Sequence, residues 1–301
     1  MVVELPHLLG VTLAIVAAAC YAVQFLSIRV GTVDGGVVES VFITLLTNVI
    51  IVWFLIIVTT GIPSFTLAGL VWFALAGIFG SLIARTCMFK STQIIGASRT
   101  SPVISANVFI AALLAMILFG ESVTVVHAVG IVVIVAGVAV ISWETAQDAD
   151  PDQSWRDLGI SLALPLFGAI FVAFEPIFVT LGLGESVDVL PGVAIKVTAA
   201  WLGFAAYLFF AGRLTMETFA RTRQTGWFVL AGLMSTVGII AYFAALAVAP
   251  VVIVVPLLQT VPLIVMGLSW FLMPQRLERV TWRLSTAATV VVIGAAIVGI
   301  Q

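Results

Sequence analysis

The chain has 301 residues, of which 62% are hydrophobic and 9% charged, with a formal net charge of -2. An ordinary soluble domain carries roughly 45–50% apolar and about 25% charged residues, so these side chains cannot cover a water-facing surface and most of the exterior must face hydrocarbon. The expected fold class is therefore all-α integral membrane; the expected partners are a lipid bilayer and a small-molecule substrate, with no nucleic acid.

A spanning helix needs about 20 mainly apolar residues, and ten stretches qualify: residues 8–28, 37–59, 67–94, 100–119, 123–143, 158–181, 189–211, 226–248, 251–273 and 280–300. Connections are short apart from residues 144–157, ETAQDADPDQSWRD, whose acidic, proline-bearing character marks a linker. Two five-helix units follow, residues 1–143 and 158–301.

The two halves resemble each other. Residues 96–121, GASRTSPVISANVFIAALLAMILFGE, lie without a gap over residues 250–275, PVVIVVPLLQTVPLIVMGLSWFLMPQ. Pro102 falls on Pro256, Ser105 on Gln259, and Gly120-Glu121 on Pro274-Gln275. Further out, Ala76-Gly77 meets Ala231-Gly232 with one residue of slip, and the segment from Leu9 to Ala14 meets that from Leu158 to Ala163. The repeat is about half the chain, far longer than a solenoid period. Five spans per half make the second half enter the membrane from the opposite side, an inverted repeat. Such repeats put a binding site near the bilayer midplane and expose it alternately to each side.

Cytoplasmic connections carry the excess of Lys and Arg. Arg29, Arg99, Arg156, Arg213, Arg221, Arg223, Arg276, Arg279 and Arg283 all lie beside connections that follow odd-numbered spans, and none beside an even one. This predicts a multi-pass protein of the cell membrane with both termini outside and the linker inside.

A charge in hydrocarbon costs on the order of 3 kcal/mol or more and usually faces a cavity or a partner. Glu175 in the sixth predicted span and Lys196 in the seventh lie at equal depth, roughly 14–18 Å at the helical rise. They form either a substrate or proton site or a fixed salt bridge between helices. Pro176 beside Glu175 favours the former, since proline frees a backbone carbonyl. Aligning Trp53 with Trp201 puts Asn48 at the Lys196 position, and Gln24 lies within two residues of the Glu175 counterpart, Leu26. Both are lining candidates, with interhelical hydrogen bonding as the alternative.

Arg85 has its counterpart near Ile240, in an unbroken span, so the third span is expected to run through it and bury it roughly 16 Å from the turn at Gly96. A guanidinium there suits bidentate recognition of a carboxylate or phosphate; snorkelling is the alternative and is the expectation for Lys90. The fourth span opens with Ser98, Ser101, Pro102, Ser105 and Phe109 at helical spacing, with Thr100 and Asn107 on a neighbouring line. Ser105 and Asn107 are binding candidates, against a reading as close helix packing. The ninth span offers Gln259 between Pro256 and Pro262, and with Pro102 these prolines are expected to loosen helices that gate. Tyr242, Tyr21 and Trp270 are candidates for stacking on a substrate. Cys20 and Cys87 read as small core residues, and no metal or cofactor is expected.

Ten spans, two five-span halves, the ASRTSP opening of the fourth span and the Gly120-Glu121 exit together resemble the drug/metabolite transporter superfamily, in its EamA-domain branch. The resemblance implies a secondary transporter, often an exporter of amino acids and related metabolites. It also implies a central cavity lined by the first four spans of each half, with the fifth spans peripheral. Two departures stand out: Gln275 replaces the acid expected at the second exit, and the loop after the second span, Gly61-Ile62-Pro63-Ser64, is uncharged. The latter implies an orientation reversed relative to many relatives.

The expected function is thus alternating-access transport, most naturally export, of a small amino-acid-like or carboxylate-bearing metabolite, with proton coupling through Glu175. A passive facilitator shares every feature except coupling. A membrane enzyme on lipid-linked substrate would need clustered catalytic groups, and no such motif occurs. The chain is expected as a monomer or weak homodimer, because glycine-bearing faces such as Gly130 to Gly137 can pack within one chain or between two.

Overall fold

Hydrocarbon offers no partner to backbone N–H and C=O groups, so a chain this apolar closes its hydrogen bonds within helices. The structure, a computed structural model, describes residues 5–59, 66–119, 125–126, 129–130, 132–133, 136–137, 140, 155–185, 187–213, 224–249, 251–258, 260–272 and 281–299. Every regular element among them is helical. Six stretches are long and apolar enough to cross a bilayer. They are α1 (Leu5–Gly31), α2 (Val37–Thr59), a continuous third rod, α7 (Trp155–Gly184), α8 (Val189–Phe210) and α9 (Thr225–Val248). The third rod joins α3 (Leu67–Ala76), a π-helical segment Gly77–Ala84 and α4 (Arg85–Ile95).

Local chemistry sets the ends. The Thr66 hydroxyl accepts from the Gly69 N–H at 3.1 Å and starts α3. Gly96, at φ 89°, stops α4 in a conformation that a Cβ would oppose. After α8 the chain turns through Gly212 at φ 64°, where Arg213 N–H reaches back to Leu208 C=O and Gly212 N–H to Phe209 C=O, satisfying the last carbonyls.

The fourth and ninth spans, expected as single helices, are each broken in two. The fourth is α5 (Ala97–Ile104) and α6 (Asn107–Phe119); the ninth is α10 (Val251–Leu258) and α11 (Val261–Leu272). Pro102 lies inside α5, where it lacks an N–H and its ring presses on the preceding turn, and the helix ends two residues later. Pro262 sits in the first turn of α11, where a missing N–H costs nothing. Both breaks fall at one offset of 154 residues, 104 to 258 and 107 to 261, the offset that superposes Pro102 on Pro256. The expected ten spans are not all present among the described residues, since the fifth, residues 123–143, is described only at scattered positions.

Packing interleaves the halves. α1 runs along α9, the third rod runs along α7, and α2 packs against α8 and α9. Among the described helices, the last, α12 (Trp282–Gly299), packs against α10, α11, α5 and α6. A Cβ on Gly137 would lie 2.5 Å from Val291 Cγ2, so this glycine packs against α12 within the chain. Phe54, Ile57, Phe210, Trp270 and Trp282 project from the bundle, as side chains facing lipid do. Trp270, expected as a stacking candidate, is 72% exposed and does not line the interior.

Candidate functional site

The site grows from two glycines. In the π-helical segment, a Cβ on Gly77 would collide with the Lys196 carbonyl, with the carbonyl carbon at 3.0 Å, and one on Gly80 would lie 2.7 Å from Glu175 Cδ. Hydrogen at both positions brings the third rod into backbone contact with α8 and lays the Glu175 carboxylate against it. Lys196 Nζ donates to Glu175 Oε1, forming a buried ion pair between α8 and α7. The ammonium also lies 5.0 Å from the centroid of the Phe243 ring on α9, a further electrostatic contact for a cation in hydrocarbon. π-helical turns occur preferentially at functional sites, and this one faces the ion pair.

One turn further along the rod, Arg85 is 6% exposed. It does not snorkel. Its Nη1 donates to Asn48 Oδ1 at 2.7 Å, and no carboxylate pairs with it among the described residues. Asn48 is held in turn: its Nδ2 donates to Gly232 C=O at 2.8 Å and meets Thr236 Oγ1 at 2.7 Å, while Ser235 Oγ donates to its Oδ1 at 3.4 Å. Asn48 is therefore fully engaged and stands behind Arg85 rather than lining the cavity. Partners on two helices, α4 and α9, saturate the amide of Asn48, the residue expected to line the cavity.

A second close helix approach lies beside Asn48. Gly77 admits the Lys196 carbonyl, while a Cβ on Gly232 would lie 3.1 Å from the Thr44 carbonyl and 2.6 Å from Thr47 Cβ, beside Asn48.

Between these clusters lies a cavity of about 150 Å³. Glu175, Lys196, Arg85, Gln24, Ser105, Asn107 and Tyr242 all line it, with Tyr21 and Pro176. Ser105 and Asn107 flank the break between α5 and α6; Leu258 and Val261 bring the break between α10 and α11 to the same cavity. The wall thus contains two helix ends and two helix starts, and at the first break Ala106 N–H still reaches Val103 C=O and Val108 N–H reaches Ser105 C=O. Ser105 Oγ bonds back to Ser101 C=O at 3.2 Å. Pro102 is buried in α5 and Pro262 in α11, beside the cavity; Gln259 and the side chain of Pro256 lie outside the described residues. Lys90 is exposed and donates to Gln93 Oε1 at 2.9 Å, as a snorkelling side chain does.

Sequence reasoning missed Ser81, Met88 and Phe243. Ser81 and Met88 also line the cavity, four residues before and three after Arg85, and that helical spacing was the available signal. Phe243 carries no polar group, so only the fold reveals it beneath Lys196.

Residues 8–143, somewhat under half of the chain, match the EamA-like transporter family, a domain of the drug/metabolite transporter superfamily. No curated protein matches the chain. One of 28 matching solved chains, described as "Crystal structure of protein", is 13% identical with a TM-score of 0.66, and the match covers 96% of this chain and 95% of that one. At that identity the likeness concerns the fold alone.

Proposed function

We propose that the chain is a secondary transporter that exports a small carboxylate-bearing or amino-acid-like metabolite by alternating access. The observation that carries this reading is Arg85, a buried guanidinium in the wall of an internal cavity without a carboxylate partner among the described residues. A cation desolvated in this way is costly unless an anion visits it, and a guanidinium receives a carboxylate through two parallel hydrogen bonds.

The proposed architecture is ten spans in two inverted repeats, residues 1–143 and 158–301, joined by the linker at 144–157. Supporting it, the fourth and ninth spans break at one repeat offset, and the breaks meet at the cavity. Interrupted helices at corresponding places in two halves are the usual frame of a rocking transporter. The proposed setting is the cell membrane with both termini outside, from the arginine distribution.

Glu175 is the proposed proton carrier. Protonating it would release Lys196 to a second anionic oxygen, so proton and carboxylate binding would be linked. Net direction then follows the two gradients; export is what the family resemblance implies.

The test is uptake and efflux of labelled amino acids and organic acids in reconstituted vesicles, with and without a pH gradient, for the native protein and Glu175→Gln. The expected result is movement against a gradient in the native protein and loss of only the proton-driven accumulation in the variant. Downhill movement alone, identical in both proteins, would make the chain a facilitator.

A further inference from the structure

Among the described residues, two hydroxyls in the cavity wall have no protein partner. Ser81 Oγ on the π-helical segment and Ser101 Oγ on α5 are both buried, with the residues 1% and 2% exposed, and both residues line the cavity. Helical serines and threonines usually discharge their hydroxyl on a carbonyl one turn back. Their neighbours do so: Thr86 bonds to Leu82 C=O at 2.6 Å and Thr236 to Gly232 C=O at 2.8 Å. Ser81 and Ser101 do not, and an unmade hydrogen bond at a buried hydroxyl costs on the order of 1–3 kcal/mol. Their placement beside Arg85 and at the foot of α5 makes them available to whatever the cavity holds.

Charge narrows the occupant. Lys196 and Glu175 neutralise each other, and Glu175 is the sole acid among the described residues lining the cavity. The uncompensated charge is the Arg85 guanidinium, whose complement is one negative charge. A zwitterion would add an ammonium with no free carboxylate to receive it, and a buried charge left unpaired is strongly unfavourable. Size narrows it again. A cavity of about 150 Å³ takes a benzene-sized molecule in a protein interior, so the ligand has roughly six to ten non-hydrogen atoms.

We propose that the substrate is a small monoanionic 2-hydroxy- or 2-oxo-carboxylate, its carboxylate on Arg85 and its hydroxyl or oxo oxygen read by Ser81 and Ser101. This assignment rests on the transport reading and narrows it. A hydroxyl on the ligand completes both serines, whereas the analogue lacking it leaves them unmade, the arrangement that discriminates most strongly between otherwise similar molecules.

The test is ligand binding to the purified protein in detergent, by calorimetry, over acids of two to six carbons. Each skeleton is offered as the 2-hydroxy acid, 2-oxo acid, unsubstituted acid and amino acid; lactate, pyruvate, propionate and alanine form one such set. The expected result is binding of the hydroxy or oxo acid at least tenfold tighter than its unsubstituted and amino counterparts. Ser81→Ala and Ser101→Ala should each lower that preference about tenfold while leaving affinity for the unsubstituted acid unchanged. Both variants remove only an unpartnered hydroxyl, so both should fold. Three results would overturn the proposal: tighter binding of the amino acid, serine variants that weaken all ligands equally, or no acid bound in any set. Counterflow in vesicles separates the two readings. Hydroxy acids that bind but do not move sink transport and leave the ligand class standing; amino acids that move while hydroxy acids do not sink the ligand class and leave transport standing.

Discussion

Gly77→Ala perturbs the contact on which the site is assembled. The added Cβ would overlap the Lys196 carbonyl oxygen and lie 3.0 and 3.2 Å from its carbonyl carbon and Cα. All three are backbone atoms of α8, so no side chain can turn aside. Restoring ordinary contact at 3.4 Å or more to the carbon alone moves the rod about 0.4 Å, and clearing the oxygen takes roughly 1 Å, a displacement that forfeits much of the dispersion well of every pair along the interface. Overpacking of this kind costs about 1–3 kcal/mol, against roughly 0.5–1 kcal/mol gained by replacing a helical glycine. The net loss, about 1–2 kcal/mol, corresponds to a fall of a few degrees in Tm. The control is Gly267→Ala in α11, where nothing lies within 4 Å of the new methyl and Tm should hold or rise. Tryptophan-detected thermal unfolding in detergent measures both, and vesicle transport should fall for Gly77→Ala alone. A Gly77→Ala protein that melts and transports like the native one would refute the claim that this close approach holds the site.

Three further outcomes are expected. Glu175→Gln strands Lys196 and should lower stability by about 3–5 kcal/mol, whereas the double variant Glu175→Gln/Lys196→Met should recover most of it, as read by chemical unfolding in detergent; equal losses would mean that the pair contributes no coupling. Arg85→Lys keeps the charge but not the planar fork, so substrate affinity should fall at least tenfold with folding unchanged, measured by concentration-dependent uptake. Asn48→Ala removes the partner that aims Arg85 and leaves the buried hydroxyls of Ser235 and Thr236 short of one bond; a stability loss of about 1–3 kcal/mol should accompany weaker binding, with unaltered uptake kinetics counting against a positioning role.

Much of the fold was legible because apolar length and helical closure of the backbone are properties of single segments. The bounds of α2 at Val37–Thr59 and the starts of α8 and α10 at Val189 and Val251 coincide with the apolar stretches read from the chain. The broken fourth and ninth spans were not legible as breaks. Pro102 and Pro262 signalled loosening, but whether a helix bends or parts depends on what surrounds the freed carbonyls, here an internal cavity. Glu175, Lys196 and Arg85 stood out as charges in apolar runs, which any membrane sequence makes costly. Ser81 and Ser101 did not, because a serine in a span is ordinary and only its failure to find a partner is informative.

The chain by itself determined that the protein lies in a membrane and that a few ionisable groups are buried, since composition, periodicity and the cost of charge in hydrocarbon act locally. Tertiary structure alone decided which cation is neutralised. Lys196 meets Glu175 because glycines at 77 and 80 let three helices close on that pair, while Arg85 meets Asn48, a neutral amide held by Gly232 and Thr236. Both outcomes depend on contacts between residues far apart in the chain, whose distances no single segment encodes.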